Sequence, residues 1–290
     1  MRYILFNPLS GNTRGETLSR ALAVREENCS LMDVREISSY KDFFATVTSD
    51  DSIVLCGGDG TLNRFANDVD TLPLPCDIYY YAVGSGNDFA RDIGHEPAEE
   101  PTYKINEYLQ NLPRVKVAGR VRKFINGIGY GIDGYCCEIG DKIRARRQKR
   151  GNKKPINYTP IALGGLLGGF RARRATITID GVEYRYKNVW LSPAMHGRYF
   201  GGGMMPTPNR DRLRDTDELS LMIYHGSALK ALLLFRTIFS GKHVRFKNCV
   251  KILHGKKISV KYDKPCSLQI DGETMLDVDG YTAAVHSVAL

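Results

Sequence analysis

Three short apolar segments in the first 120 residues each end in a polar, glycine-containing turn, and each turn is followed by a helical pattern. The apolar segments are Tyr3–Phe6, Ser52–Cys56 and Ile78–Val83. The helical patterns are Thr13–Arg25, Leu62–Val69 and Asp88–Ile93. A repeated strand, turn and helix is typical of a parallel sheet with crossover helices. We therefore predict a Rossmann-like α/β domain over residues 1–120.

The second half of the chain has a different pattern, with many short β-rich segments. Asp180-Gly181 separates two of them and is a favourable hairpin turn. Two helical stretches interrupt the pattern, one from 139 through 170 and one at Ala228–Phe239. We predict an antiparallel β-sandwich domain over 121–280, with the tail 281–290 packing back on the first domain. The fold class expected is α/β plus all-β, with the active site in the cleft between the domains.

Composition narrows the class of protein. Hydrophobic residues make up 42 % and charged residues 25 % of the 290 residues, which excludes disordered, collagen-like and coiled-coil chains. The seven cysteines are odd in number and form no C-x-x-C pair, which favours a reducing compartment. The longest apolar stretches fall short of the ~20 residues that a membrane-spanning helix needs. With no signal-peptide pattern at the N-terminus, we expect a cytoplasmic protein.

The net charge of +9 indicates an anionic partner. Basic residues crowd the segment 142–154, namely Lys142, Arg144, Arg146, Arg147, Lys149, Arg150, Lys153 and Lys154. This segment is compatible with a solvated loop, with a docking patch for acidic lipid headgroups, or with a nucleic-acid patch. No aromatic residues interleave these charges, so we expect no nucleic-acid partner.

The most informative motif is Gly57-Gly58-Asp59-Gly60-Thr61, directly after a predicted strand. Closely spaced glycines let the backbone approach a ligand and present N–H groups to it, and a following helix adds its positive dipole end. Phosphate suits such a loop. The carboxylate of Asp59 would repel phosphate unless a cation intervened, so the motif implies Mg²⁺. The alternative is a tight turn with a helix cap.

Two further polar turns follow the other predicted strands. The first runs from Asn7 to Asn12, with Ser10 and Gly11, and the second runs from Gly84 to Asp88, with Ser85 and Asn87. Each is compatible with a simple turn. The carboxyl ends of parallel strands lie at one edge of the sheet, where ligands bind. Three such turns together therefore predict a binding site.

Asp271-Gly272-Glu273 follows a β-rich segment late in the chain. A carboxylate is the usual group that orients or deprotonates an acceptor hydroxyl in phosphoryl transfer. Asp-Gly is also a common hairpin turn, and Asp180-Gly181-Val182-Glu183 shows how such a pattern arises without function. On the residues alone, the turn is the better supported of the two interpretations.

Taken together, these segments resemble the diacylglycerol-kinase-type lipid kinase family, which includes bacterial lipid kinases and sphingosine and ceramide kinases. The resemblance is carried, in order along the chain, by Asn7-Pro8-x-Ser10-Gly11, Gly57–Asn63, Gly84–Arg91, the positions Asn126, Gly129 and Gly131, and Asp271-Gly272-Glu273. It covers nearly the whole chain, and the joint occurrence of the motifs in this order makes it specific.

The resemblance implies an ATP-dependent kinase that transfers the γ-phosphate to the hydroxyl of a membrane lipid, most simply diacylglycerol. Asp271 or Glu273 is implied as the general base, and Asp59 would place Mg²⁺, directly or through water. The implied nucleotide-binding residues are Asn7, Ser10, Gly11, Gly57, Gly58, Asp59, Gly60, Thr61, Asn63, Gly84, Ser85, Asn87 and Asp88. The implied partners are ATP, Mg²⁺, a membrane lipid, an anionic membrane contacted through 142–154, and a second copy in a homodimer.

Two positions depart from the family pattern. Arg64 stands where the family usually carries Glu, and the stretch 214–219 lacks the glycine of the family's structural Mg²⁺ site. Asp215 and Asp217 are the residues left there to bind such a metal. Two alternatives stay open: a kinase for a soluble acceptor, as in NAD kinases, and a non-catalytic nucleotide- or membrane-binding regulator. The identity of the acceptor lipid is open as well.

Overall fold

The computed structural model describes residues 1–94, 102–151, 154 and 156–290, and the chain divides into two compact units, 1–111 and 112–290. The helices and strands of the first unit are β1 (Arg2–Phe6), α1 (Arg14–Ala23), β2 (Cys29–Asp33), α2 (Tyr40–Ala45), β3 (Ser52–Gly57), α3 (Asp59–Asp68), β4 (Asp77–Ala82), α4 (Asp88–Asp92), β5 (Tyr103–Lys104) and α5 (Asn106–Gln110). A 3₁₀ turn at Ser10–Thr13 precedes α1.

The first unit is built on a sheet of strand order β2-β1-β3-β4-β5. The first four strands are parallel, and β5 pairs antiparallel with β4 at one edge. The apolar side chains of β1 and β3 are fully buried, since Ile4, Leu5, Ile53, Val54 and Leu55 have no exposed surface. Such near-continuous apolar strands fit a parallel sheet with both faces covered. The α/β prediction is confirmed.

The second unit is β-rich and antiparallel, also as predicted. Its elements are β6 (Arg114–Val117), β7 (Arg120–Lys123), β8 (Gly127–Tyr130), α6 (Ile132–Gln148), α7 (Tyr158–Gly164), β9 (Arg173–Ile179), β10 (Val182–Leu191), β11 (Ala194–Met195), β12 (Leu219–His225), α8 (Ala228–Leu234), β13 (Val250–Gly255), β14 (Lys257–Ile270) and β15 (Glu273–Ala284). A π-turn at Gly165–Gly169 follows α7, and 3₁₀ turns at Phe235–Ser240 and Lys242–Arg245 follow α8.

The strands of the second unit form one sheet that closes on itself. The order is β7-β6-β15-β14-β8-β11-β12-β10-β9, and β9 also pairs with β14 while β13 pairs with β12. This circuit encloses an apolar core in which Ile128, Val189, Leu221, Ile258 and Leu268 are fully buried. The predicted sandwich is thus realised as a continuous, curled sheet.

Several boundaries differ from the sequence expectations. The units meet at 111/112 rather than at 120/121, because β6 hydrogen-bonds to β15 and pairs with β7 within the second sheet. The expected tail begins inside β15, and Val285 and Val288 pack against the core of the second unit. No helix in the described parts of the chain is long and apolar enough to cross a bilayer.

Candidate functional site

The candidate site of the first unit lies at the carboxyl edge of its sheet. The chain passes from β1 out to β2 and then returns to the other side of β1 to form β3, so the direction of the strand order reverses between β1 and β3. Ligands of open α/β sheets bind outside the strand ends at such a switch point. The loop after β1, which carries Asn7 and Ser10, lies there, as does the junction of β3 and α3 at Gly57–Thr61.

Glycine is required where these loops touch each other. A Cβ on Gly84 would lie 2.4 Å from the Cα of Gly58, and a Cβ on Gly11, whose φ is +57°, would lie 2.2 Å from the carbonyl oxygen of Val83. Backbone therefore packs directly on backbone among the three loops. Such an arrangement brings main-chain N–H groups together without intervening side chains, which is the property of a phosphate cradle. The structure brings the three predicted turns together.

Hydroxyl and amide groups of two loops meet at Thr61. Its Oγ1 accepts a hydrogen bond from Asn7 Nδ2 at 3.0 Å and lies 3.2 Å from Ser10 Oγ. Asn7 Oδ1 in turn accepts the backbone N–H of Leu9 at 3.0 Å. The side chains predicted to hold phosphates after β1 and β3 are thus linked to one another and fixed in place.

Asp59 is held by the third loop. Its Oδ2 accepts the backbone N–H of Asp88 at 3.0 Å and its Oδ1 accepts that of Phe89 at 2.8 Å, which are the first amides of α4. The carboxylate therefore acts as a cap that ties the β3 loop to the β4 loop. Carboxylate oxygen is a donor type that Mg²⁺ accepts, and the position of this carboxylate is fixed within the loop where the sequence predicts that ion.

The remaining predicted residues of this edge differ in exposure. Ser85 is exposed and Asp88 is buried beside Arg91, whose Nη1 donates to Asp88 Oδ1 at 3.1 Å. Asn87 adopts a left-handed φ of 50°, and its buried Oδ1 has no hydrogen-bond partner among the described residues. An acceptor left unsatisfied at this edge suits a hydrogen-bond donor on a bound ligand.

Asn63 and Arg64 lie on α3 beyond the loop. Asn63 is fully buried, and its Oδ1 accepts from Asn67 Nδ2 at 3.3 Å one helical turn later. The Arg64 side chain is 71 % exposed, with its Nε 3.7 Å from Asp68 Oδ2. The guanidinium of Arg64, which stands where the family usually carries Glu, therefore lies along the helix surface next to Asp68.

A separate candidate site in the second unit is the turn Asp271-Gly272 between β14 and β15. Both residues have positive φ, 46° and 89°, as a two-residue hairpin turn of type I′ requires. The Asp271 carboxylate accepts three backbone N–H groups, from Ile125 at 2.5 Å, Asn126 at 2.8 Å and Gly127 at 3.0 Å. Three amide donors hold this carboxylate in one orientation, as an acceptor.

Glu273 is the more accessible carboxylate of the pair. Its side chain is 52 % exposed and its Oε2 lies 2.6 Å from Arg122 Nη1. The structure therefore separates two roles that the sequence left together: Asp271 is locked by backbone, whereas Glu273 is free to move at the cost of one partly exposed ion pair.

A third carboxylate, Asp133, lies beside this turn and was not singled out from the sequence. Gln269 Nε2 donates to Asp133 Oδ2 at 3.2 Å, and Gln269 Oε1 accepts the N–H of Gly272 at 2.6 Å. Burial raises the pKa of Asp133 to about 6, against the hydrogen bonds from Gln269 and Gly134. A Cβ on Gly129 would lie 1.5 Å from Asp133 Oδ2, so only glycine leaves room for this carboxylate. The alternating glycines Gly127, Gly129 and Gly131 were therefore the feature of the sequence that could have indicated a side chain packed against this strand.

Behind the turn, Arg212 is buried and joins two backbone segments. Its Nη2 donates to Asn126 Oδ1 at 2.8 Å and its Nη1 donates to the carbonyl of Ile125 at 3.2 Å. The peptide groups that hold Asp271 are thus supported from their other side by a guanidinium.

The predicted structural metal site does not fit a metal ion. The guanidinium of Arg210, which is 2 % exposed, donates to the carbonyl oxygens of His196 at 2.7 Å and Asp215 at 2.8 Å, to that of Glu218, and to Ser220 Oγ at 3.2 Å. The guanidinium of Arg210 thus already binds the carbonyl oxygens that a metal ion would need in this loop.

The two predicted ligands are engaged elsewhere or exposed. Asp215 Oδ2 accepts the N–H of Asp211 at 2.8 Å, and Asp217 is exposed. No group of three acidic, cysteine or histidine side chains suited to a metal occurs in the described residues. We therefore assign no structural metal to Asp215 and Asp217.

The basic segment 142–154 covers the end of α6 and the residues after it. Lys142 pairs with Glu138, and Arg144 pairs with Asp141, both within the helix. Lys153 lies outside the described residues, as does residue 152. Part of the positive charge of this segment is therefore neutralised by the helix that carries it.

Comparison with known proteins identifies both units. Residues 2–118 match the model of the diacylglycerol kinase catalytic domain, and residues 127–288 match that of the YegS C-terminal NAD kinase beta sandwich-like domain. A "Diacylglycerol kinase" of Mycobacterium tuberculosis (strain CDC 1551 / Oshkosh) is 25 % identical over 252 residues, which are 83 % of this chain and 78 % of that protein. A "Putative lipid kinase" of Staphylococcus aureus (strain Newman) is 24 % identical over 243 residues, 78 % of this chain and 72 % of the relative.

A solved structure shows the same fold. The crystal structure titled "a putative diacylglycerol kinase from Bacillus anthracis str. Sterne" superposes with a TM-score of 0.66 at 19 % identity, covering 98 % of this chain and 91 % of that one. With both domain models matched in order along nearly the whole chain, this protein belongs to the diacylglycerol-kinase-type lipid kinase family.

Proposed function

We propose that this protein transfers the γ-phosphate of ATP to the hydroxyl of a membrane lipid, with diacylglycerol as the first acceptor to test. The observation that carries the proposal is the meeting of three glycine-containing loops at the switch point of the first sheet, in a chain that belongs to a lipid kinase family. The curated relatives named above are called diacylglycerol kinase and lipid kinase.

The nucleotide would be held by backbone and hydroxyls, because no lysine follows the glycine loop. The glycines Gly58 and Gly84, which have no side chains between them, would let backbone N–H groups approach phosphate oxygens, while Ser10 and Thr61 would add hydroxyl groups. Mg²⁺, when bound with ATP, would neutralise phosphate charge. Asp59 would hold it through water and would keep α4 in place through its two amide hydrogen bonds.

The acceptor hydroxyl would be oriented in the second unit. Asp271 is pinned by three amide donors and is suited to a fixed position, whereas Glu273 can reorient and Asp133 has a pKa raised toward neutral pH. A general base works best with a pKa near the working pH. We propose that Asp271 anchors the turn and that the proton of the hydroxyl is taken by Asp271 or Glu273.

A phosphorylation assay tests this function. Purified protein, γ-labelled ATP and Mg²⁺ are incubated with mixed micelles of diacylglycerol, phosphatidylglycerol, a long-chain base or an isoprenoid alcohol, and with NAD as a soluble acceptor. We expect label in the organic phase that is lost in Asp271→Asn and Glu273→Gln. Label on NAD alone would identify a soluble-acceptor kinase, and no transfer to any acceptor despite ATP binding would support a regulator.

The chain supplies a matched control for the two carboxylates. Asp180-Gly181 forms a second Asp-Gly hairpin turn, with Glu183 one residue further along its strand than Glu273 is: Asp180 has a φ of 48°, and Glu183 lies 2.6 Å from Arg185 Nε. The variants Asp180→Asn and Glu183→Gln therefore remove the same chemical groups from a similar turn, and we expect them to retain transfer.

The ATP site is tested separately by Gly84→Ala. Its new methyl group would lie 2.4 Å from Gly58 Cα and would force the loops apart, so we expect ATP affinity to fall at least about tenfold in equilibrium binding. Gly168→Ala is not a suitable control because Gly168 has a φ of +138°. Gly164→Ala is suitable, since nothing lies within 4 Å of its Cβ position.

A further inference from the structure

The segment 228–247 of the second unit carries apolar side chains that folding leaves exposed. Helix α8 has the sequence Ala-Leu-Lys-Ala-Leu-Leu-Leu, and none of its residues is buried. Leu229 and Leu233 are 67 % and 70 % exposed, and Phe239 and Phe246, on the turns after the helix, are 45 % and 46 % exposed. Soluble proteins rarely leave such groups of large apolar side chains in water without a binding role.

The two leucines lie on one face of α8, and the opposite face is packed. Their spacing of four residues places them one turn apart. Ala228, Ala231 and Leu232 pack instead against the apolar cluster that contains Trp190. The helix is thus anchored on its inner side and presents Leu229 and Leu233 on its outer side.

A third exposed leucine lies next to this helix. Leu167, which is 79 % exposed, belongs to the turn Gly165–Gly169, and this turn contacts α8. Its neighbour Leu166 is buried in the same cluster as the inner face of α8. The exposed apolar surface therefore extends from α8 onto a second element.

The charge along this part of the sequence is of one sign. From residue 219 to residue 262 the chain contains nine lysines and arginines and no aspartate or glutamate. Five of these cations lie within 228–247 and are exposed: Lys230, Arg236, Lys242, Arg245 and Lys247. None of the five forms an ion pair with any residue that the structure describes, in contrast to Lys142 and Arg144 on α6.

We propose that this surface, named here the 228–247 surface and consisting of Leu167, Leu229, Leu233, Phe239, Phe246 and the five cations, docks on the anionic face of a lipid bilayer. Leucines and phenylalanines enter the interface between headgroups and acyl chains, while the cations lie among anionic headgroups. The absence of acidic residues over 219–262 is what selects an anionic partner. The proposal rests on the proposed function, which requires access to a lipid in a membrane.

Vesicle co-sedimentation tests the docking surface directly. The full chain is mixed with phosphatidylcholine vesicles containing or lacking phosphatidylglycerol, at low and at high salt. We expect binding to the anionic vesicles that weakens with salt, because each cation near the membrane contributes about fivefold in affinity. Equal binding to neutral vesicles, or no binding, would overturn the proposal.

The variant Leu229→Gln/Leu233→Gln tests the apolar contribution without changing charge. We expect its affinity for anionic vesicles to fall at least about tenfold, because two leucines no longer enter the interface. The control Val24→Gln/Val182→Gln changes two other exposed side chains, 87 % and 55 % exposed, and should bind as the wild type does. Unchanged thermal unfolding shows that each variant is folded. Wild-type binding by the leucine variant would contradict the proposal.

Two further measurements separate this proposal from others. Retained transfer to a water-dispersed short-chain diacylglycerol, with reduced transfer in vesicles, is expected for the leucine variant. If no lipid is phosphorylated but vesicle binding depends on the leucines, the proposed function fails and the docking surface stands. A concentration-dependent dimer that the leucine variant abolishes, with vesicle binding intact, would assign the surface to a second copy instead.

Discussion

The two Asp-Gly hairpins of the second unit have nearly the same geometry and different surroundings. Asp180 and Asp271 have φ values of 48° and 46°, and each carboxylate accepts backbone N–H groups: Asp180 those of Lys256 and Lys257, and Asp271 those of residues 125–127. Asp180 is exposed, whereas Asp271 is backed by buried polar groups. The geometry of the turn therefore does not distinguish the two hairpins, whereas the polar groups behind Asp271 do.

The first prediction compares the effects of Asp271→Asn and Asp180→Asn on kcat. We expect the first variant to lower kcat for lipid phosphorylation by about 10²–10⁴-fold, the range for loss of a general base or its positioning. The second should stay within about twofold of wild type, since it removes the same group from a hairpin without the network. Steady-state kinetics on mixed micelles measure both. Equal losses of kcat in the two variants would mean that the polar groups around Asp271 give this turn no role in transfer beyond that of the Asp180 turn.

The second prediction concerns Arg210, whose guanidinium holds the loop behind the 271 turn through carbonyl oxygens. Arg210→Met leaves these buried acceptors unsatisfied, so we expect the free energy of unfolding to fall by about 3 kcal/mol or more. Urea denaturation measures it, with Arg214→Met as the control because Arg214 is 87 % exposed in the same loop.

The assignment of Arg210 as the cation of this loop can also be tested by the response of the Tm to Mg²⁺. Because an internal cation takes the carbonyl groups, we expect the Tm of the wild type to be unchanged between EDTA and millimolar Mg²⁺. A Tm that rises with Mg²⁺ in the absence of ATP would contradict the assignment of Arg210 as the cation of this loop.

The third prediction uses the pKa of Asp133, which burial raises from 3.8 to about 6. A carboxyl with a raised folded-state pKa favours folding below its unfolded pKa, and this contribution is lost as pH rises through the folded one. The stability of wild type relative to Asp133→Asn should therefore fall by about 2–3 kcal/mol between pH 4 and pH 7. Chemical denaturation across this range measures it.

Glu138 provides the contrasting carboxylate. The hydrogen bonds from Lys142 and Ser267 lower its pKa, so its contribution is present above its unfolded pKa of 4.5 and is lost as pH falls. The pH dependence for Glu138→Gln should have the opposite sign. A flat difference for Asp133→Asn would mean that this carboxyl is solvated in the folded protein.

The smallest effect is expected for the arginines that pair with the two hairpin glutamates. Arg122, 27 % exposed, pairs with Glu273, and Arg185, 81 % exposed, pairs with Glu183, both at 2.6 Å. Exposed pairs contribute about 0–1 kcal/mol, so Arg122→Gln should cost roughly 0.5 kcal/mol and Arg185→Gln close to none. Thermal unfolding of the two variants compares them, and a larger loss for Arg185→Gln would reverse the comparison.

The features that sequence predicted are local ones. The strands β1, β3 and β4 and the loops after them follow from apolar runs next to glycine turns, and the structure brings those loops together. The closure of the second sheet depends on the pairing of β9 with β14. These two segments lie far apart in the chain, and no local sequence pattern of either one indicates the other as its partner. Such pairings depend on the packing of the whole unit.

The residues near the 271 turn that sequence reasoning missed are buried and charged. In the sequence, Arg210 and Arg212 lie between β-rich segments of a basic chain, and Asp133 lies before the helical stretch predicted from residue 139. Their roles arise because folding removes them from water and leaves backbone carbonyls or a glutamine as partners. Burial converts ordinary charges into specific contacts, and burial is a property of the three-dimensional arrangement.

The position of β14 in the sheet determines when the second unit can fold during synthesis. This strand pairs with β8, β9 and β15, and it spans Lys257–Ile270 near the end of the chain. The ribosome must therefore release the chain through β14 before the circuit closes. Until then the apolar strands β9 to β12 lack a neighbour and expose unpaired edges. The nascent chain is thus vulnerable to aggregation until β14 has emerged, and a chain truncated before residue 257 cannot close the sheet.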